Sequence, residues 1–129
     1  MNKKLFQRCV SLSRDLAEFD HNHAQRHFSY LCIRNKIAFT GINDKWKTTT
    51  LASRFSHLFN AIHSETSAIK AFKYNWSELR YFTMVNVRLN RDLTVMFSKP
   101  CKSCERMLLH FGVGEVCYSV NETTFEKLF

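Results

Sequence analysis

Glycine and proline are scarce, at 3 and 1 of 129 residues. That excludes collagen-like repeats and low-complexity linkers, and no internal repeat is visible. No apolar run approaches the ~20 residues that a membrane-spanning helix needs. The basic start Met1-Asn2-Lys3-Lys4-Leu5 is soon interrupted by Arg8, Arg14 and Asp15, so no secretory leader is expected and the location is read as cytoplasmic. Acidic residues are also few, 11 against 19 Lys and Arg, leaving a net charge of +8. The cysteines number five. An odd count outside a secretory context speaks for reduced thiols or metal ligands rather than a disulfide framework.

What is present is ordinary for a globular chain: 45% hydrophobic and 23% charged residues, enough for a single domain over 1–129. The basic excess lies mostly in the first half. Residues 1–62 carry 10 Lys and Arg against 4 Asp and Glu, and residues 63–129 carry 9 against 7. Such a balance suits phosphate-bearing partners, either nucleotides or nucleic acid. It is equally that of a small cationic protein with no such partner.

Leu5, Cys9, Leu12, Leu16 and Phe19 recur at spacings of 4, 3, 4 and 3. That is the period of an amphipathic helix laying one stripe on a core. Residues 20–27 break the period and read as a loop. Residues 28–34 and 36–42 are rich in aromatic and β-branched side chains, with Arg34-Asn35-Lys36 as a hairpin turn between them. The polar, Thr-rich segment 45–60 follows, with a short helix over 51–59. Residues 62–74 read as a helix in which Glu65, Ile69 and Phe72 share a face. A third strand covers 81–89, and 93–97 either extends it or folds back around Asn90-Arg91-Asp92. Pro100 opens a helix running to about Phe111, Gly112-Val113-Gly114 follows, and 115–119 is a strand. This order points to an α/β domain with helices covering a sheet.

Cys101 and Cys104 stand three residues apart at the start of that helix. Three helical steps return to nearly the same face, and a helix N-terminus favours thiolate over thiol. The pair suits a metal such as zinc, a redox couple, or simple packing. Cys9, Cys32 and Cys117 are isolated and read as core. Upstream, Glu65 lies on an apolar helical stripe, where a carboxylate is costly unless it is paired or at work. With the two thiols, His63 makes three ligands and leaves a fourth zinc position open. Two helical steps separate side chains by about 200°. His63 must therefore sit at the frayed helix start if it is to act beside Glu65.

His63-x-Glu65 followed by Pro100-Cys101-x-x-Cys104 resembles the zinc-dependent cytidine/deoxycytidylate deaminase superfamily. The likeness continues through Ile62 to Ile69, through Ser98 to Cys104 with Leu108 and Leu109, and through Phe111-Gly112-Val113 to Ser119. Gly41-Ile42-Asn43 is similar to the Gly-x-Asn that ends an early strand and touches substrate sugar in several members. Together these span roughly residues 5–120. The resemblance implies a three-layer α/β/α domain with a mixed sheet of four or five strands. It implies zinc on His63, Cys101 and Cys104, with Glu65 moving a proton between water and the base. Asn43, Ser64, Ser98 and Pro100 are the implied substrate contacts.

The chain also departs from the family pattern. Ser64 stands where Ala is usual. His63 stands where free-nucleoside deaminases carry Cys, and Ser103 where the tRNA adenosine branch carries Met. Residues 45–60 lack the second metal-binding insertion of many regulated deoxycytidylate deaminases. The expected activity is therefore deamination of cytosine in a nucleotide, deoxycytidylate-like. Two alternatives stand beside it: a deaminase of single-stranded DNA or RNA, and a silent zinc scaffold or nucleic-acid binding module. An oligomer is compatible with either. His21, His23 and His27 with Cys32 form a weaker second-metal candidate. Arg26, Arg34, Lys36, Lys45, Lys47 and Arg54, with Phe28, Tyr30 and Trp46, form a candidate nucleic-acid surface.

Overall fold

The computed structural model describes residues 1–19, 26–43 and 63–129. The expected helix over 51–59 lies outside them. Helix α1, Lys3–Phe19, buries Leu5, Phe6, Cys9, Val10, Ser13 and Ala17, while Leu12 and Leu16 flank that stripe half-buried. The stripe is wider than one heptad row because neighbouring rows both reach the sheet. The side chain of Phe19 lies outside the described residues.

Strands β1 (Arg26–Ile33) and β2 (Lys36–Ile42) form the expected hairpin. Arg34 and Asn35 have φ of 53° and 62°, a two-residue turn whose twist matches that of the strands. Helix α2 spans Ser64–Ala71, shorter than the expected 62–74. It stops because Phe72 turns extended and Asn75 then caps a 3₁₀ turn, Trp76–Tyr81, by accepting the Ser77 N–H. Strand β3 consequently begins at Thr83 and runs to Leu89.

The open choice at 93–97 resolves as a hairpin. Asn90 Oδ1 accepts from the N–H groups of Asp92 and Thr94 at 2.9 Å each, and β4, Val95–Met96, pairs back on β3. Helix α3, Lys102–Phe111, ends where Gly112 takes a left-handed φ of 74° and returns its N–H to Leu108 and Leu109. Strand β5, Glu115–Ser119, stands as expected. Strand β6, Phe125–Lys127, was not anticipated.

The sheet order is β2-β1-β3-β5-β6, with β4 on the end of β3 and β3–β5 as the parallel pair. It is mixed, as expected, and among the described residues holds six strands rather than four or five. The additions, β4 and β6, have two and three residues, too few to show an alternating pattern in sequence. One core joins α1 to Phe28, Tyr30, Val85, Val87 and Leu89. A second lies on the opposite face of the sheet, where Ala68, Ile69, Met107 and Leu108 pack on Leu31, Met84 and Val116. Helices therefore cover both faces, giving three layers. Among the described residues no helix is long and apolar enough to cross a membrane.

Gly41, Ser29, Asn86 and Tyr118 form one register row across β2, β1, β3 and β5. At Gly41 the α2 backbone lies directly on the sheet. A Cβ there would stand 2.2 Å from the Ala68 nitrogen and 2.3 Å from the Ser64 carbonyl oxygen. Gly41→Ala should lift α2 and cost about 3 kcal/mol, within the usual range for overpacking. Chemical denaturation measures that loss, and a variant as stable as the parent would show that α2 does not rest on Gly41.

Candidate active site

Two helix starts meet over this row. His63 is the N-cap of α2, with extended backbone at φ −74° and ψ 151°. This places it outside the helical phase, so its ring is free of the 200° separation that would otherwise turn it away from Glu65. Cys101 is the N-cap of α3, and its sulfur accepts the Cys104 N–H at 3.5 Å. The helix begins at Lys102, so Pro100 does not open it from within, as the sequence reading expected. Pro100 is buried just outside, because the thiol takes the capping position.

His63 Nδ1 lies 3.6 Å from Cys101 Sγ and 3.4 Å from Cys104 Sγ, and the three ligand atoms all fall within 4.8 Å of one another. A tetrahedral zinc with ordinary Zn–N and Zn–S bond lengths sets nitrogen and sulfur about 3.6 Å apart. The donor set and its spacing therefore fit zinc. The neighbouring Cys104 thiol, then His63, pushes Cys101 down to about 3. Contact with Cys101, together with burial, pushes Cys104 up. The Cys101 contact raises His63 in turn. Two sulfurs and a histidine ring already within reach of one another would bind a divalent cation in their deprotonated forms.

Glu65 follows on the first turn of α2 and is only 6% exposed. Burial raises its pKa. Its carboxyl is among the groups that push the Cys104 thiol up, which sets the acid beside the clustered His63, Cys101 and Cys104. Asn86 Nδ2 donates to Oε2 at 2.9 Å, and Ser64 Oγ donates to Oε1 at 3.2 Å. Ser29 Oγ donates to Asn86 Oδ1 at 2.7 Å and stands 2.8 Å from Ser64 Oγ. The four groups close a ring. Two serine protons serve three oxygen–oxygen contacts, so ionised Glu65 leaves one contact without a hydrogen. With a proton on Oε1 every link is filled in one direction, Glu65 to Ser64 to Ser29 to Asn86 and back through Nδ2.

The loop before Cys101 is fixed by a second set of hydroxyls. Ser98 Oγ donates to the Asn86 carbonyl at 2.9 Å and accepts the Ser119 N–H at 2.8 Å. Ser119 Oγ contacts Ser98 Oγ and the Met96 carbonyl, each at 2.7 Å. The Ser98 hydroxyl is thus used within the chain. Asn43 is half-buried at the end of β2, where its Oδ1 accepts the His27 N–H at 2.9 Å and closes the hairpin. Ser64 is buried, with its hydroxyl in the ring.

Other candidates separate. His21, His23, Lys45, Trp46, Lys47 and Arg54 lie outside the described residues. Phe28 and Tyr30 are core side chains under α1, on the sheet face away from the site, so neither is a stacking surface. Cys9, Cys32 and Cys117 are buried, as expected of core residues. Sequence reasoning missed Ser29, Asn86 and Ser119. The available signal was Asn86 itself, a poor strand former inside Thr83-Met84-Val85-Asn86-Val87.

A comparison with curated proteins finds no match to this chain. The family model described as the cytidine and deoxycytidylate deaminase zinc-binding region matches residues 2–120. Those limits enclose both helix starts, the three clustered ligands and the sheet beneath them, and the chain belongs to the cytidine and deoxycytidylate deaminase zinc-binding family.

Proposed function

We propose that this domain hydrolyses the exocyclic amine of a cytosine base in a single nucleotide, deoxycytidylate-like, giving uracil and ammonia. The observation that carries the reading is Glu65, a buried carboxyl hydrogen-bonded on both oxygens beside a His/Cys/Cys group. A structural metal site has no use for such an acid. His63, Cys101 and Cys104 would hold zinc, which when bound would supply the Lewis acidity that makes water nucleophilic near neutral pH. Glu65 takes a proton from the attacking water and passes it to the ring nitrogen beside the amino carbon. It then takes the second proton from the hydroxyl now on that carbon and delivers it to the departing amine, so the C–N bond breaks as the carbonyl forms and ammonia leaves. The ring through Ser64, Ser29 and Asn86 gives the neutral carboxyl a filled set of partners between those transfers. Asn43, Ser64, Ser98 and Pro100 are the proposed substrate contacts, with Ser98 acting through its backbone because its hydroxyl is engaged.

A nucleotide is favoured over a polynucleotide because Phe28 and Tyr30, two aromatics of the candidate nucleic-acid surface, are buried under α1. Turnover of deoxycytidylate should be accompanied by only weak binding of a cytosine-containing oligonucleotide. Tight oligonucleotide binding with a log–log salt slope of about −0.7 per phosphate contact, and no deoxycytidylate turnover, would instead assign the site to single strands.

A further inference from the structure

We propose that Asn86 is a positioning residue, holding the Glu65 carboxyl at a set orientation to the loop that carries the thiols. The inference rests on the deaminase reading only where turnover is measured. Asn86 is 3% exposed, in the middle of β3. A buried amide at that position is costly unless all its polar atoms are used, and a Val or Leu would pack as well. Its partners show what the amide does. Nδ2 donates to Glu65 Oε2 at 2.9 Å and to the Ser98 carbonyl at 3.4 Å. The Asn86 backbone carbonyl accepts the Ser98 hydroxyl at 2.9 Å. One residue therefore ties α2, which bears the acid, to the segment three residues before Cys101.

The side chain cannot turn over and present its oxygen to the carboxylate, because the Ser98 carbonyl at 3.4 Å only accepts and so holds the amino end on that side. Ser29, its cross-strand neighbour, donates to Oδ1 at 2.7 Å. Ser29 in turn stands 2.8 Å from Ser64, on the helix turn that begins at His63. The carboxyl is thus held from two sides, by Nδ2 at one oxygen and by the Ser64 hydroxyl at the other. Loss of Asn86 leaves the carboxyl held at one oxygen only, by the Ser64 hydroxyl at 3.2 Å, and free to rotate about that contact. A misplacement of about 1 Å at a reacting group costs about a hundredfold in rate.

Two readouts test this. In zinc-loaded protein, Asn86→Leu should lower kcat about 10- to 100-fold on deoxycytidylate, with KM and zinc content unchanged. Ser29→Ala should act in the same direction and less strongly, and it carries the test if Asn86→Leu does not fold. Separately, denaturation midpoints of Glu65→Ala, Asn86→Leu and the double variant form a cycle that needs no activity. Non-additive midpoints, with the double variant less damaged than the singles sum to, are expected. Additive midpoints, or a raised KM with kcat intact, would overturn the positioning role. Absence of deoxycytidylate turnover in the parent protein with non-additive midpoints would instead sink the functional reading and leave the Asn86–Glu65 tie standing.

Discussion

Glu65→Gln should melt at or above the temperature of the parent protein while losing ~10²–10⁴ in turnover, the usual worth of a general acid–base. The two halves of this result come from the same ring. A glutamine oxygen accepts from Asn86 Nδ2, as Oε2 does now at 2.9 Å. Its amide donates to Ser64, Ser64 to Ser29, and Ser29 to Asn86 Oδ1, so all contacts at 2.7–3.2 Å carry a hydrogen. Glutamine also removes the cost of burying a charge at a position only 6% exposed. The variant keeps the fold and the three ligands and cannot accept a proton. Thermal melting and ammonia release, run on one preparation, measure both quantities. A destabilised variant would show that the ionised carboxylate serves the fold, and a fully active one would show that Glu65 moves no proton.

Replacing Cys101 and Cys104 together by serine should abolish zinc binding, where the parent holds about one ion per chain. Serine is a preferred N-cap, so the Cys101 change preserves the start of α3 that the sulfur now caps at 3.5 Å. What is lost is the soft ligand pair set 3.6 and 3.4 Å from His63 Nδ1. Metal analysis after gel filtration reads the result directly. Zinc retained at full occupancy in the double variant would place the metal elsewhere in the chain.

The candidate ligand set was legible through its resemblance to the deaminase motifs, and short spacings at helix starts then leave little freedom within each motif. His63 and Glu65 are two residues apart, and Cys101 and Cys104 three, so each pair is fixed by local geometry once a helix begins between them. The α1 stripe and the Arg34–Asn35 turn were legible for the same reason. The ring around Glu65 was not. Asn86 meets Ser29 across 57 residues and Glu65 across 21, and only strand register brings them together. Strand β3 hides its facing as well. Met84 is buried under α2 and α3, Val85 and Val87 under α1, so apolar residues occur at both parities and no alternation marks the inward polar position. The premature end of α2 was equally hidden, because Phe72 continues the apolar period into residues whose backbone has already turned.

The most direct test of the account is ammonia release from deoxycytidylate by the zinc-loaded parent, beside Glu65→Gln carrying the same zinc. The account predicts steady ammonia release matched by uracil formation in the parent and a fall of ~10²–10⁴ in the variant. Equal rates in the two proteins, or zinc-loaded parent protein inert toward deoxycytidylate and toward a cytosine-containing oligonucleotide alike, would contradict it.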